Sequence, residues 1–104
     1  MIAYLYRWRI KPGKENQFRE NWTKVTLILR DQGGSYGSRL HLADNGDWIG
    51  YAQWPSREVR DRCNITTPEL EHARELMKDA AEKRFPDLEL EIQGDYLVQQ
   101  EPQG

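Results

Sequence analysis

The sequence predicts an α+β sandwich: four antiparallel strands with both helices on one face. Three observations lead there. Amphipathic patterns follow one another in the order strand, helix, strand, strand, helix, strand. Asn45-Gly46 separates two strand-like runs and marks a tight hairpin. The 104 residues are enough for one domain and too few for two. The expected domain spans residues 1–98, followed by a polar tail at 99–104.

The opening run, 2–11, alternates with period two. Ile2, Tyr4, Tyr6, Trp8 and Ile10 share one face, and Ala3, Leu5, Arg7 and Arg9 share the other. The first set is apolar or aromatic and is expected to meet the helices. Pro12-Gly13 ends this strand. Phe18, Trp22, Val25 and Leu29 then recur at helical spacing, which predicts a helix over 14–32. Glu15 and Arg30 suit the two ends of its dipole, and Gly33-Gly34 stops it.

The hairpin is expected over 35–43 and 47–54, with Pro55 closing the second arm. Ser56 caps a short helical turn over 57–62. Thr67-Pro68 opens the second main helix, with Thr67 as cap and Pro68 as first helical residue. The spacing carries that helix to about residue 84, with Leu70, Ala73, Met77 and Ala80 inward and Pro86 marking the end. Leu88-Glu89-Leu90-Glu91-Ile92-Gln93 is a clean strand alternation. Gly94 interrupts it, and Tyr96-Leu97-Val98 is expected to resume it.

This order most simply folds as a ferredoxin-like βαββαβ sandwich. Strand one then lies between strands three and four. Tyr4, Tyr6 and Trp8 would share the helix side with Leu88, Leu90 and Ile92. Arg7 and Arg9 would meet Glu91 and Glu89 on the open side, each pair contributing about 0.2–1 kcal/mol if exposed. Leu5 and parts of the hairpin also fall on that open side, and a second copy of the chain is the ordinary way to cover such a face.

Composition narrows the function classes. Basic and acidic residues nearly balance, at 15 and 17, which argues against a nucleic-acid partner. No run is long and apolar enough for a bilayer, and the start lacks the order of a signal peptide. Cys63 is the single cysteine, so no internal disulfide forms; this fits a reducing, cytoplasmic setting. Asn64-Ile65-Thr66 matches a glycosylation acceptor and is read as chance. Phosphate-cradling glycine loops, zinc-type cysteine pairs, HExxH and GxSxG are all missing from the sequence.

With its arginine-bearing first strand, Lys11-Pro12-Gly13-Lys14-Glu15, a helix carrying Trp22, a glycine break, a hairpin, and Trp54 before a short helix, the chain resembles the antibiotic biosynthesis monooxygenase superfamily. The resemblance covers about residues 1–98. It implies a dimeric α/β barrel with a pocket between sheet and helices in each subunit. It implies a flat, hydrophobic phenol or quinol as ligand. It also implies monooxygenase chemistry with no cofactor and no metal, in which an electron-rich substrate anion reacts with oxygen inside a dry pocket. The family also includes haem-degrading enzymes, which use an Asn, a Trp and a His. Those positions fall at Tyr6, Cys63 and at or next to His72. Only the histidine is matched, which sets haem degradation aside and leaves haem binding through His72 as a separate reading.

On that resemblance Tyr6 and His72 are the candidates for proton transfer, with Trp8, Trp22 and Tyr4 as pocket wall. Each has a plainer alternative. For His72 it is an ordinary, partly exposed helical histidine, and for the aromatic set it is a packed core. His41 is read as inert or at a subunit interface, and Cys63 as a buried structural thiol. Arg7, Arg9, Arg57, Arg60 and Arg62 are read as solvated or paired charges. A non-catalytic ligand-binding or interaction domain is the rival of the enzyme reading.

Overall fold

The computed structural model describes residues 1–98; the polar tail expected at 99–104 lies outside them. The chain order is β1 (Ile2–Ile10), α1 (Glu15–Gln32), β2 (Gly37–Leu42), β3 (Trp48–Trp54), α2 (Arg57–Arg62), α3 (Pro68–Ala80), β4 (Ala81–Arg84) and β5 (Leu88–Glu91). The strands form one antiparallel sheet in the order β2-β3-β1-β4, with β5 also on β1. This is the ferredoxin-like sandwich, with the fourth strand broken in two.

The local signals act as their chemistry demands. Gly13 and Gly46 take positive φ in their turns. Asn45 does not; its side-chain oxygen instead accepts the Asp47 N–H at 3.0 Å, an Asx turn that tightens the hairpin. After α1, Gly34 adopts φ +86, and the N–H groups of Gly33 and Ser35 both reach the Leu29 carbonyl. Ser56 and Thr67 cap α2 and α3 by accepting the N–H of Val59 and Leu70, each at 3.2 Å.

The core lies between the sheet and the helices. Phe18 is fully buried, edge-on to Trp8 at 5.0 Å and to Trp48 at 5.9 Å between centroids. Ile10 and Ala80 complete that cluster. A second cluster joins Tyr4, Ala52 and Trp54 to Val59 of α2 and to Cys63, which caps its C-terminal end.

Several expectations are corrected. Helix α3 stops at Ala80, not near 84, because Ala81–Arg84 pair with β1 beside Trp8–Ile10. Pro86 therefore breaks a strand, not a helix. That insertion pushes β5 along to Ile2–Leu5, with Glu89 opposite Tyr4 and Leu88 opposite Leu5. The parity of β5 is thus reversed: Glu89 and Glu91 take the helix side, and Leu88 and Leu90 turn to the open underside. Arg7 and Arg9 do not meet the β5 glutamates. Their Nε atoms lie 2.9 and 3.6 Å from the buried carboxylate of Asp47, and Arg7 also stacks on Phe85. Tyr96-Leu97-Val98 does not resume a strand and is exposed.

Candidate functional site

A cleft of about 680 Å³ opens between the sheet and the two long helices. Its floor is the helix side of β1 and β3, where Tyr6 and Trp8 lie beside Gly50, Ala52 and Trp54. The roof comes from Trp22, Val25, Thr26 and Leu29 of α1 and Met77 of α3. Gly50 makes the floor possible. A Cβ there would sit 3.2 Å from the Trp8 ring and 3.5 Å from the Trp22 indole nitrogen. Both indoles can approach the sheet closely only because the strand carries no side chain at that point.

The cleft has one strongly polar wall. Arg60, on α2, donates from Nη2 to the Tyr6 hydroxyl oxygen at 3.3 Å. The same guanidinium lies over the Tyr4 ring, 3.9 Å from its centroid. Tyr4 is buried, and its hydroxyl donates to Glu89 at 3.4 Å. Glu89 in turn receives Arg57. Burial raises the Tyr4 phenol above its ordinary range, against the opposing pull of Arg60. The Arg57 hydrogen bond holds the Glu89 carboxyl below its ordinary range. Arg84 approaches Tyr6 from the other side, 5.8 Å from its ring centroid, while bridging to both oxygens of Asp87.

Electrostatically the cleft is one-sided. Arg60, Arg74, Lys78 and Arg84 line it, and no Asp, Glu or His does. The chain as a whole carries formal charge −2, so the basic lining is not a reflection of bulk composition. Among the described residues, no group of three or more His, Cys, Asp or Glu could hold a metal ion. No helix among them is long and apolar enough to cross a membrane.

Of the residues singled out in the sequence, Tyr6, Trp8 and Trp22 come together at the cleft. Tyr4 does not line it; it lies beneath, buried, as the platform under Arg60. His72 is exposed and outside the lining. The reason is helical spacing: Leu70 and Ala73 are the buried positions, and a residue two beyond Leu70 points to the opposite side. The haem reading through His72 loses its pocket for the same reason. His41 is exposed, with Nδ1 3.1 Å from the Ile49 carbonyl oxygen. Cys63 is half-buried at the cleft, not fully buried, and its Sγ packs where a Gly33 side chain would stand.

Arg60, expected to be a solvated or paired charge, instead lines the cleft against Tyr4 and Tyr6. A signal existed: Val59 and Cys63 are spaced four apart and anchor α2 on the Tyr4 cluster. Arg60 flanks that stripe and is drawn to the rim of the cleft. Arg57, on the far side of the stripe, is the paired surface charge that was expected.

No family model matches this sequence, and no curated protein matches it at the sequence level. Similarity appears among solved structures. Rv0793 from Mycobacterium tuberculosis superposes with TM-score 0.73 at 14% identity, over 92% of this chain and 98% of that one. An antibiotic biosynthesis monooxygenase superposes with TM-score 0.71 at 14% identity, over 88% and 98%. SnoaB from Streptomyces nogalater, a cofactor-independent oxygenase, superposes with TM-score 0.74 at 9% identity, over 91% and 95%. At these identities the likeness is one of architecture: the chain has the fold of the antibiotic biosynthesis monooxygenases.

Proposed function

We propose that this protein is a cofactor-independent monooxygenase acting on a flat phenol or quinol bound in the cleft. The observation that carries the reading is the cleft itself. Three indoles and a tyrosine line a space large enough for a fused-ring aromatic, and its charged lining residues are all basic. The fold shared with SnoaB, a cofactor-independent oxygenase, supports it.

The reaction balances without a further reactant. A phenolate passes an electron to O2, and the recombining pair leaves a hydroperoxide at a ring carbon. Loss of water from that carbon leaves a carbonyl, so phenol plus O2 gives quinone plus water. Both electron pairs come from the substrate. The protein's part is to favour the phenolate, exclude water and hold the ring. Tyr6 is the proposed hydrogen-bonding and proton-transferring group, since its oxygen already accepts from Arg60 and its own hydrogen remains to be donated. Trp8 and Trp22 are the proposed ring contacts. His72 is given no part.

Oxygen consumption by the purified protein with a panel of fused-ring phenols and quinols tests this. Consumption should match quinone formed one for one, and one atom from isotopically heavy O2 should appear in the quinone. No turnover above a heat-denatured control across the panel sinks the enzyme reading. The rival, a binding-only domain, is favoured by one observation: the lining holds no carboxylate or imidazole to take a proton. It predicts ligand binding without oxygen uptake.

The working form is proposed to be a homodimer closed through the sheet underside. Leu5, Ile49 and Tyr51 share that face with Leu88 and Leu90, which are 56% and 36% exposed. Sedimentation should show a dimer that Leu90→Lys weakens; a monomer at every concentration refutes it.

A further inference from the structure

The basic wall of the cleft has a consequence for ligand chemistry. Arg60 is only a third exposed, with relative side-chain exposure 32%. It is fixed from two directions, by the Tyr4 ring at 3.9 Å and by the Tyr6 oxygen at 3.3 Å. Its nearest carboxylate contact is Asp61, at 3.9 Å. Of the other cations in the lining, Arg84 contacts both oxygens of Asp87 through one nitrogen, Arg74 lies 3.7 Å from Glu71, and Lys78 is exposed to solvent, whereas Arg60 is the one held in place against the cleft floor. A guanidinium carries five N–H donors and no acceptor. One of them is used on Tyr6, and Tyr4 occupies the ring-stacking face. The remaining edge borders a cleft with no acidic side chain in its lining.

We propose that the substrate is a hydroxyaryl carboxylic acid whose carboxylate docks on Arg60 and whose adjacent phenolic oxygen takes the Tyr6 hydroxyl. This rests on the reading of the cleft as an aromatic small-molecule site and names the class of molecule it takes. A planar carboxylate matches the guanidinium fork, and charge-assisted bonds of this kind are the strong ones. A neutral ligand would leave a half-buried guanidinium edge without an anionic partner. Because Arg60 and Tyr6 touch each other, the two ligand groups they hold must be neighbours on the ring. The remaining rings then extend over Gly50 between Trp8 and Trp22.

The test is calorimetric titration of the full chain with two probes: a hydroxynaphthoic acid bearing adjacent hydroxyl and carboxyl groups, and the corresponding hydroxynaphthamide. They have nearly the same size and differ in charge. The acid should bind about tenfold or more tightly than the amide, and added salt should narrow that gap by weakening the acid alone. Arg60→Met should abolish the preference by weakening the acid far more than the amide. Tyr6→Phe should weaken both probes together and leave their ratio unchanged. If Arg60→Met does not fold, Arg60→Lys keeps the charge and loses the fork, and should shrink the ratio several-fold. Equal affinity of the two probes, or a preference that survives the Arg60 substitutions, overturns this inference and leaves the aromatic cleft standing. Failure of both probes to bind overturns the cleft reading as well.

Discussion

Gly50→Ala is the smallest change that probes the cleft floor. A methyl at that position falls 3.2 and 3.4 Å from two carbons of the Trp8 ring and 3.5 Å from the Trp22 Nε1. Two effects oppose. Replacing a strand glycine by alanine narrows the unfolded ensemble and stabilises by about 0.5–1 kcal/mol. Overpacking costs about 1–3 kcal/mol where neighbours cannot yield. Trp8 cannot yield easily, being 6% exposed, edge-on to Phe18 and tilted against Tyr6 at 6.0 Å. Overpacking therefore wins, and the net loss is about 1 kcal/mol, a fall in Tm of about 4–8 °C for a domain of this size. Thermal denaturation followed by near-ultraviolet circular dichroism reads it directly. The double variant with Trp8→Leu should recover the Gly50→Ala penalty, a coupling of about 1 kcal/mol. A Gly50→Ala protein with raised Tm, or a double variant whose losses simply add, would refute the close approach of Trp8 to the strand.

The other predictions are shorter. His72→Ala should change stability by less than about 0.5 kcal/mol and leave ligand affinity and any oxygen consumption intact, as measured by urea melts and titration. Phe18→Ala removes a fully buried ring between two indoles and should cost about 3–5 kcal/mol, leaving much of the chain unfolded at room temperature by circular dichroism. Thr67→Ala deletes the cap on Leu70 N–H and should cost about 1 kcal/mol in the same assay. Acid should weaken the fold in a defined way. Glu89 is held below its ordinary value by the Arg57 hydrogen bond, and Asp79 by hydrogen bonds from Gln17 and Lys14. Both contribute stability above the ordinary carboxylate range that is lost as pH falls through their lowered values. Glu89→Gln should flatten that acid limb; an unchanged limb in both Glu89→Gln and Asp79→Asn removes these pairs as its origin.

How much the sequence revealed depended on the kind of signal. Signals that act within a few residues were legible. Thr67-Pro68, Ser56, Gly33-Gly34 and Asn45-Gly46 each do locally what their side chains or backbone freedom require. The period-two faces of β1 were legible too, because the strand is long and central, with one apolar face. That alone placed Tyr6 and Trp8 on the cleft side. The helix reading of 81–84 failed because Ala81-Glu82-Lys83-Arg84 has ample helix propensity and no apolar alternation. Its strand state is imposed by the open edge of β1, a tertiary cause absent from the local sequence. His72 shows the limit of residue type as a guide: a histidine one step off the buried stripe is carried to the far side of its helix.

The reversal of β5 follows from the same cause, and it organises the molecule. Alternation in Leu88-Glu89-Leu90-Glu91 says that two faces differ but not which face is which; only register decides, and a one-residue shift exchanges them. Ala81–Arg84 occupy the length of β1 that β5 would otherwise take, and the displaced register turns Glu89 toward Tyr4. There it anchors Arg57 and the Tyr4 hydroxyl, which fixes the platform beneath Arg60. The same shift turns Leu88 and Leu90 under the sheet. A four-residue strand thus braces the polar wall of the cleft through Glu89 and adds two leucines to the underside. The polar wall of the cleft and the leucines of the underside are therefore not independent features: each depends on where helix α3 ends.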